Sequence, residues 1–319
     1  GNQVRLVNQV NTVLGDVNAE TLNVNVTGNL ADADGTVITV NGTSNLTASG
    51  DIVLDGINGV STHQLGEVTA SAGNVNLVAN DMLINQIAAQ STITLQSNGQ
   101  ITDANAAGVN LIAEQVQLTA QTGIDLDLQA EVLNIVNTTS GEVNIENTEV
   151  VLVELLRNAG GDITFENQQQ VTIDRIETAG HLDMTIRNGD IRGEGLTPAH
   201  TEADADIVAA SADFLALRGS FGTLSRPIVA YIPGDITVFS RISFSPVFLP
   251  TEPLDRIADT SLLKFSALDT LSSLAGEQVV EVESLDDVDP AIFTNIQNYN
   301  MSDIAIRMPK DQLFEDETE

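Results

Sequence analysis

Between Asp51 and Gly222, apolar and polar residues alternate in short runs that return at a near-regular interval. The runs open at Ile52, Val75, Ile93, Val109, Ile124, Val143, Ile163, Leu182 and Ile207, in steps of 15 to 25 residues. Ile93 and Leu95 precede the turn Asn98-Gly99 and then Ile101; Val109 and Leu111 are followed by Val116 and Leu118. Period-2 alternation of Val, Ile and Leu, bounded by Asn, Gly, Ser and Asp, predicts strands. A phrase that returns at this spacing predicts a repeat architecture. A unit of roughly 20 residues is too short for a βαβ crossover, which needs about 30, so neighbouring parallel strands must come from coiling. The predicted fold is all-β, a parallel β-helix, with inward side chains stacked about 4.8 Å apart in aliphatic columns. Asn80, Asn98, Asn137, Asn147 and Asn167 fall near turns, where Asn tolerates left-handed backbone.

The same alternation divides the chain into three regions. Residues 1–50 read as opening coils with looser register, carried by Val4 and Leu6, by Leu22, Val24 and Val26, and by Val37, Ile38 and Val40. Residues 51–249 form the regular β-helix, interrupted at 194–206 by a segment with Pro198 and the acids Glu194, Glu202, Asp204 and Asp206, predicted to be a loop pushed out of one turn. From 250 to 319 a linker, short helices over Leu254 to Leu274 and a terminal strand at Ile304, Ile306 and Met308 are predicted, either capping the coil or reaching another molecule. This C-terminal region is mixed and less regular.

Composition narrows the function classes. Twelve Lys plus Arg oppose 45 Asp plus Glu, a formal charge of -33. Such a surface repels phosphate backbones and anionic membranes, so neither nucleic-acid binding nor membrane insertion is expected. No apolar run approaches the ~20 residues of a spanning helix. There is no cysteine, which removes thiolate chemistry and disulfides. Opening on Gly1 rather than Met, the chain reads as a mature form or a fragment.

Candidate chemistry is thin. Asp125 and Asp127 share a strand face, and Asp204 with Asp206 form a second pair, but inward Leu126 and Leu128 put the first pair on the solvent side. The two lysines, Lys264 and Lys310, offer few bases for lyase chemistry. With 45 acids some pair will meet a glycosidase spacing, so spacing decides little. Trp is absent and the tyrosines are Tyr231 and Tyr299, so aromatic platforms for sugar rings are scarce. His63, His181 and His200 lie far apart and read as turn or loop residues. Gly160-Gly161-Asp162 is similar to one unit of a calcium-binding nonapeptide but does not repeat. Four Asn-x-Thr triplets, at Asn25, Asn41, Asn45 and Asn137, read as products of composition. The chain is expected not to be an enzyme and to hold no cofactor beyond weak, diffuse Ca²⁺.

The phrases GDIVLDG at Gly50, GNVNLVAN at Gly73 and STITLQSNGQITD at Ser91, with the segment from Gly219 to Val229, resemble the filamentous haemagglutinin-like exoproteins of bacterial two-partner secretion. The resemblance covers about Gly50 to Ser240 and implies a right-handed parallel β-helix on a secreted, cell-surface protein. The family's N-terminal secretion domain is not evident. The expected function is that of an extracellular structural or adhesive subunit joining end to end into a fibre, with Val4, Leu6, Ile304, Ile306 and Met308 as the candidate assembly interface. Self-association is the expected partnership, with cell-surface or carbohydrate ligands besides. The alternative is a monomeric piece of a large adhesin.

Overall fold

The computed structural model describes residues 2–56, 63–106, 108–194, 205–242, 246–248 and 264–265. Among these there is no helix, and the strands pair in parallel as a β-solenoid. The chain divides into two compact units, Gly1–Thr164 and Phe165–Glu319.

In the first unit each winding has three faces. Face one holds Gln3–Asn8, then 21–26, 43–48, Glu67–Ala72 and 86–89. Face two holds Thr12–Leu14, Leu30–Asp32, Ile52–Leu54, Val75–Ala79 and Thr92–Ser97. Face three holds 17–19, 38–40, 82–84 and Ile101–Asp103. Register turns the alternation into columns. On face two, Leu30, Ile52, Val75, Ile93, Val116, Leu133 and Val153 stand in successive windings, all buried. On face one the column runs Leu6, Val24, Leu46, Ala70, Ile87, Leu111 and Leu128. Equivalent residues lie 17 to 24 positions apart.

Two sequence expectations change here. Ile52, Val75 and Ile93 are true equivalents, but the face-two partner of Ile93 is Val116, and Val109 lies outside any strand. Ile124 and Val143 pair with each other on face three. The short steps around Val109 therefore joined two faces of one winding. The asparagines also serve differently: the non-glycine residue with positive φ among those described is Ala106. Asn137, Asn147 and Asn167 instead point inward and are buried. Asn137 Nδ2 donates to Asn158 Oδ1 at 2.9 Å and to Ser140 O at 2.8 Å, and Asn158 Nδ2 donates to Asp162 O at 2.8 Å. These amides satisfy carbonyls that the corners turn away from the ladder. Burial also removes Asn137 as a glycan acceptor.

In the second unit His181–Ile186, Ser211–Ala216 and Ile236–Ser240 are in parallel register, stacking Met184, Phe214 and Val238. His181 thus opens a strand rather than a turn, because its neighbour Leu182 takes the inward place. It stands 30 residues from its partner Ser211, an interval that contains the segment 194–206. Most of that insertion, with His200 and Asp204, lies outside the described residues. Pro246 begins the strand Pro246–Phe248, paired with Ile228–Tyr231, a first position where the missing N–H is tolerated. Lys264–Phe265, expected within a helix, is a strand paired with Thr237 and Val238. Strand pairing overrode a spacing that fits either period. The rest of 250–319 lies outside the described residues.

Candidate functional site

The first winding differs from those that follow. By register Val4 stands over Leu22 and Leu6 over Val24, so both are inward positions. Leu22 is fully buried, whereas Val4 is 36% exposed, because nothing among the described residues covers the end of the stack. On the outer side of the same winding Val7, Val10 and Val13 are exposed as well, Val10 and Val13 by 61% and 64%. Asn2 O accepts the Glu20 N–H at 2.8 Å and Asn8 O accepts the Thr27 N–H at 2.9 Å. The strand is therefore bonded to winding two on one side and open on the other. An open strand edge with uncovered inward apolar positions is a template for another strand.

A ladder of side-chain oxygens gives this edge a chemical signature. The side-chain oxygen of Asn11 accepts the Asn29 N–H, Asn29 that of Asp51, Asp51 that of Asn74 and Asn74 that of Thr92, at 2.9 to 3.1 Å. Each winding supplies the acceptor for the next. The ladder begins at Asn11, whose own N–H bonds no described residue. A preceding winding with Asn or Asp at this corner would complete it. Charge agrees: residues 1–15 contain Arg5 and no Asp or Glu, in a chain of net charge -33. Val4 and Leu6 both stand on this first strand. Ile304, Ile306 and Met308 lie outside the described residues.

The remaining candidates resolve into structural roles. Asp125 and Asp127 lie on the outer side of face three, below Asp103. Burial, and next the Asp103 charge, push both carboxyls up. Burial also pushes Asp103 up, but hydrogen bonds from the Asn110 side chain and from the N–H groups of Asn105, Ala106 and Ala104 bring it below the ordinary range. Among the described residues no group of three or more His, Asp or Glu side chains is set to hold a metal ion. Gly160 and Gly161 form a stacked turn, where a Cβ on Gly161 would lie 2.1 Å from Gly141 O.

Two carboxylates are buried among the described residues; the sequence singled out Asp206, as half of a pair with Asp204, but not Asp32. Asp32 occupies an inward place, opposite Leu14, and its side chain is 2% exposed. It is held by His63 Nε2 at 3.0 Å and by the N–H groups of Asp55 and Gly56 at 3.2 and 3.1 Å. His63 Nδ1 accepts the Ile38 N–H at 3.1 Å, which assigns the ring proton to Nε2, facing Asp32. His63 lies outside any strand, as expected of a loop residue, yet is fully buried. Both ring nitrogens are engaged, so the pair braces the core and leaves no lone pair for proton abstraction. The signal in the sequence was the alternation Leu30, Ala31, Asp32, which puts the acid inward. Asp206 is the second. Its Oδ2 accepts the Val229 N–H at 2.7 Å and lies too close to Gly193 for a side chain there. Burial pushes its carboxyl from 3.8 to about 6. With Arg175 bonding Ala205 O at 2.6 Å and Arg226 bonding Glu194 O at 2.9 Å, it clamps both ends of the insertion.

Compared with family models, with curated proteins and with solved structures, the chain matches none.

Proposed function

We propose that this protein is an extracellular structural and adhesive subunit whose first winding receives a strand from a second copy, so that solenoids join end to end. The observation that carries this reading is the inward but uncovered Val4, above a buried Leu22, on a strand bonded from one side. The occupant we assign is the alternating segment Ile304, Ile306 and Met308 of a second copy, by strand addition to an open edge. It precedes the acidic tail Glu315, Asp316, Glu317 and Glu319, while the receiving winding carries Arg5 and no acid. Charge complementarity favours that pairing over addition of an acidic coil elsewhere. A strongly acidic surface without cysteine suits secretion, and the repeat phrases from Gly50 support kinship with filamentous haemagglutinin-like exoproteins. No catalytic role and no cofactor is part of this reading.

Sedimentation velocity with negative-stain microscopy tests it. The intact chain is expected to form linear oligomers as concentration rises. Deleting residues 300–319, or introducing Val4→Asp with Leu6→Asp, should leave monomers. Oligomers that survive both changes overturn strand donation. A second reading, a monomeric piece of a longer adhesin, draws on the same edge, since a preceding winding of one chain would cover it equally well. A single sedimenting species at all concentrations selects that reading.

A further inference from the structure

Over face three of the first unit lies a groove of about 720 Å³, built by residues of four successive windings. Its shape starts from glycine. At the corner between faces three and one, Gly42 and Gly66 stack so closely that a Cβ on Gly66 (φ +62°) would lie 2.1 Å from Gly42 O. This corner can carry no side chain, and its backbone forms one wall of the groove.

The lining is chosen for neutral polar contacts. Asn41, Gln64, Asn80 and Gln100 are exposed, and their carboxamides bond no other described residue. Elsewhere in this unit Asn11, Asn29, Asp51 and Asn74 are spent on the corner ladder. Here four groups, each offering two donors and an acceptor, stand free along one concave surface. Leu83, 41% exposed, adds an apolar patch. Glu67 and Asp81 are the charged lining residues, and no Lys or Arg is present.

We infer that this groove binds a neutral oligosaccharide chain. Carboxamides match paired hydroxyls because they donate and accept at once, and Leu83 meets the C–H face of a ring. Polyanions, nucleic acids and uronates included, are repelled by Glu67 and Asp81 with no cation to offset them. An extended peptide would need a free strand edge, but 82–84 already pairs with Ile101–Asp103 and with Glu67 and Val68. Four windings at about 4.8 Å give a track of about 14 Å, the length of a short oligosaccharide. The lining contains no aromatic residue, so binding rests on hydrogen bonds and is weak. The groove begins beyond the first winding, so its test is separate from that of assembly.

The test is NMR titration of the full chain with cellohexaose, maltohexaose and xylohexaose, with hexagalacturonate as the acidic counterpart. At least one neutral hexaose should shift the side-chain amide signals of Asn41, Gln64, Asn80 and Gln100. Affinity should fall about tenfold or more in Asn80→Ala/Gln100→Ala, and less than about twofold in Asn25→Ala, an exposed amide outside the groove. These side chains bond no other described residue, so the double variant should keep the wild-type circular dichroism spectrum; Gln64→Ala serves if it does not. No binding by any neutral hexaose, binding indifferent to these substitutions, or tighter binding of hexagalacturonate each overturns the inference.

Discussion

A buried acid in an aliphatic column is costly unless every oxygen is answered, and Asp32 is answered by His63 and two backbone N–H groups. Removing it strands those donors. Asp32→Ala should therefore cost about 3 kcal/mol or more in denaturant unfolding of this unit; a loss under about 0.5 kcal/mol, typical of a surface change, would refute the bracing role. Asp206 gives a pH-dependent counterpart. Burial raises its carboxyl from 3.8 to about 6, so the neutral form is favoured in the fold. Its contribution to stability is complete below the unfolded value and is lost as pH rises through about 6. Hydrogen exchange at Val229 should thus quicken between about pH 4 and pH 6 beyond the intrinsic trend in the wild type, and not in Asp206→Asn. Equal pH dependence in the two proteins would contradict the assignment.

The elements of this fold are windings, and their polar corners are as structural as their aliphatic faces. Asn158 links four groups: it accepts from Asn137 and from the Gly160 N–H, and donates to Gly141 O and Asp162 O. Asn158→Ala should destabilise the corner by about 1 to 3 kcal/mol, and Asn158→Asp should fail to rescue it because a carboxylate cannot donate. Faster amide exchange over 158–163 in both variants is the expected signal, and rescue by Asp would contradict the donor role. Sequence alternation revealed the faces but not the corners. Ile52, Val75 and Ile93 could be aligned by eye, because face two repeats at similar length there. Val109 could not be placed, because the three faces look alike in period-2 pattern and winding length varies. The amide ladders were hidden for a different reason. Asn is common both at turns and inside a solenoid, and only register tells an inward Asn137 from an exposed Asn98.

At the scale of the molecule, the candidate site was half legible. Val4 and Leu6 could be named from alternation, since an opening coil, like any other, must have inward residues. The wider apolar character of the winding, through Val7, Val10 and Val13, could not, because outward positions are known only once register is fixed. The groove was invisible for the same reason: Asn41, Gln64, Asn80 and Gln100 are dispersed over 60 positions and converge only when the chain is wound. A solenoid adds windings by the same hydrogen bonds and column contacts that hold each to the next, which is why the proposed assembly adds its strand at the first winding. The most direct test is hydrogen exchange of the amides in Gln3–Asn8 and at Asn11, followed as protein concentration rises. Fast exchange in dilute solution, slowing toward the rate of residues 21–26 as oligomers form, is the predicted result. Exchange at this strand that is the same at every concentration would contradict an edge completed by a second molecule.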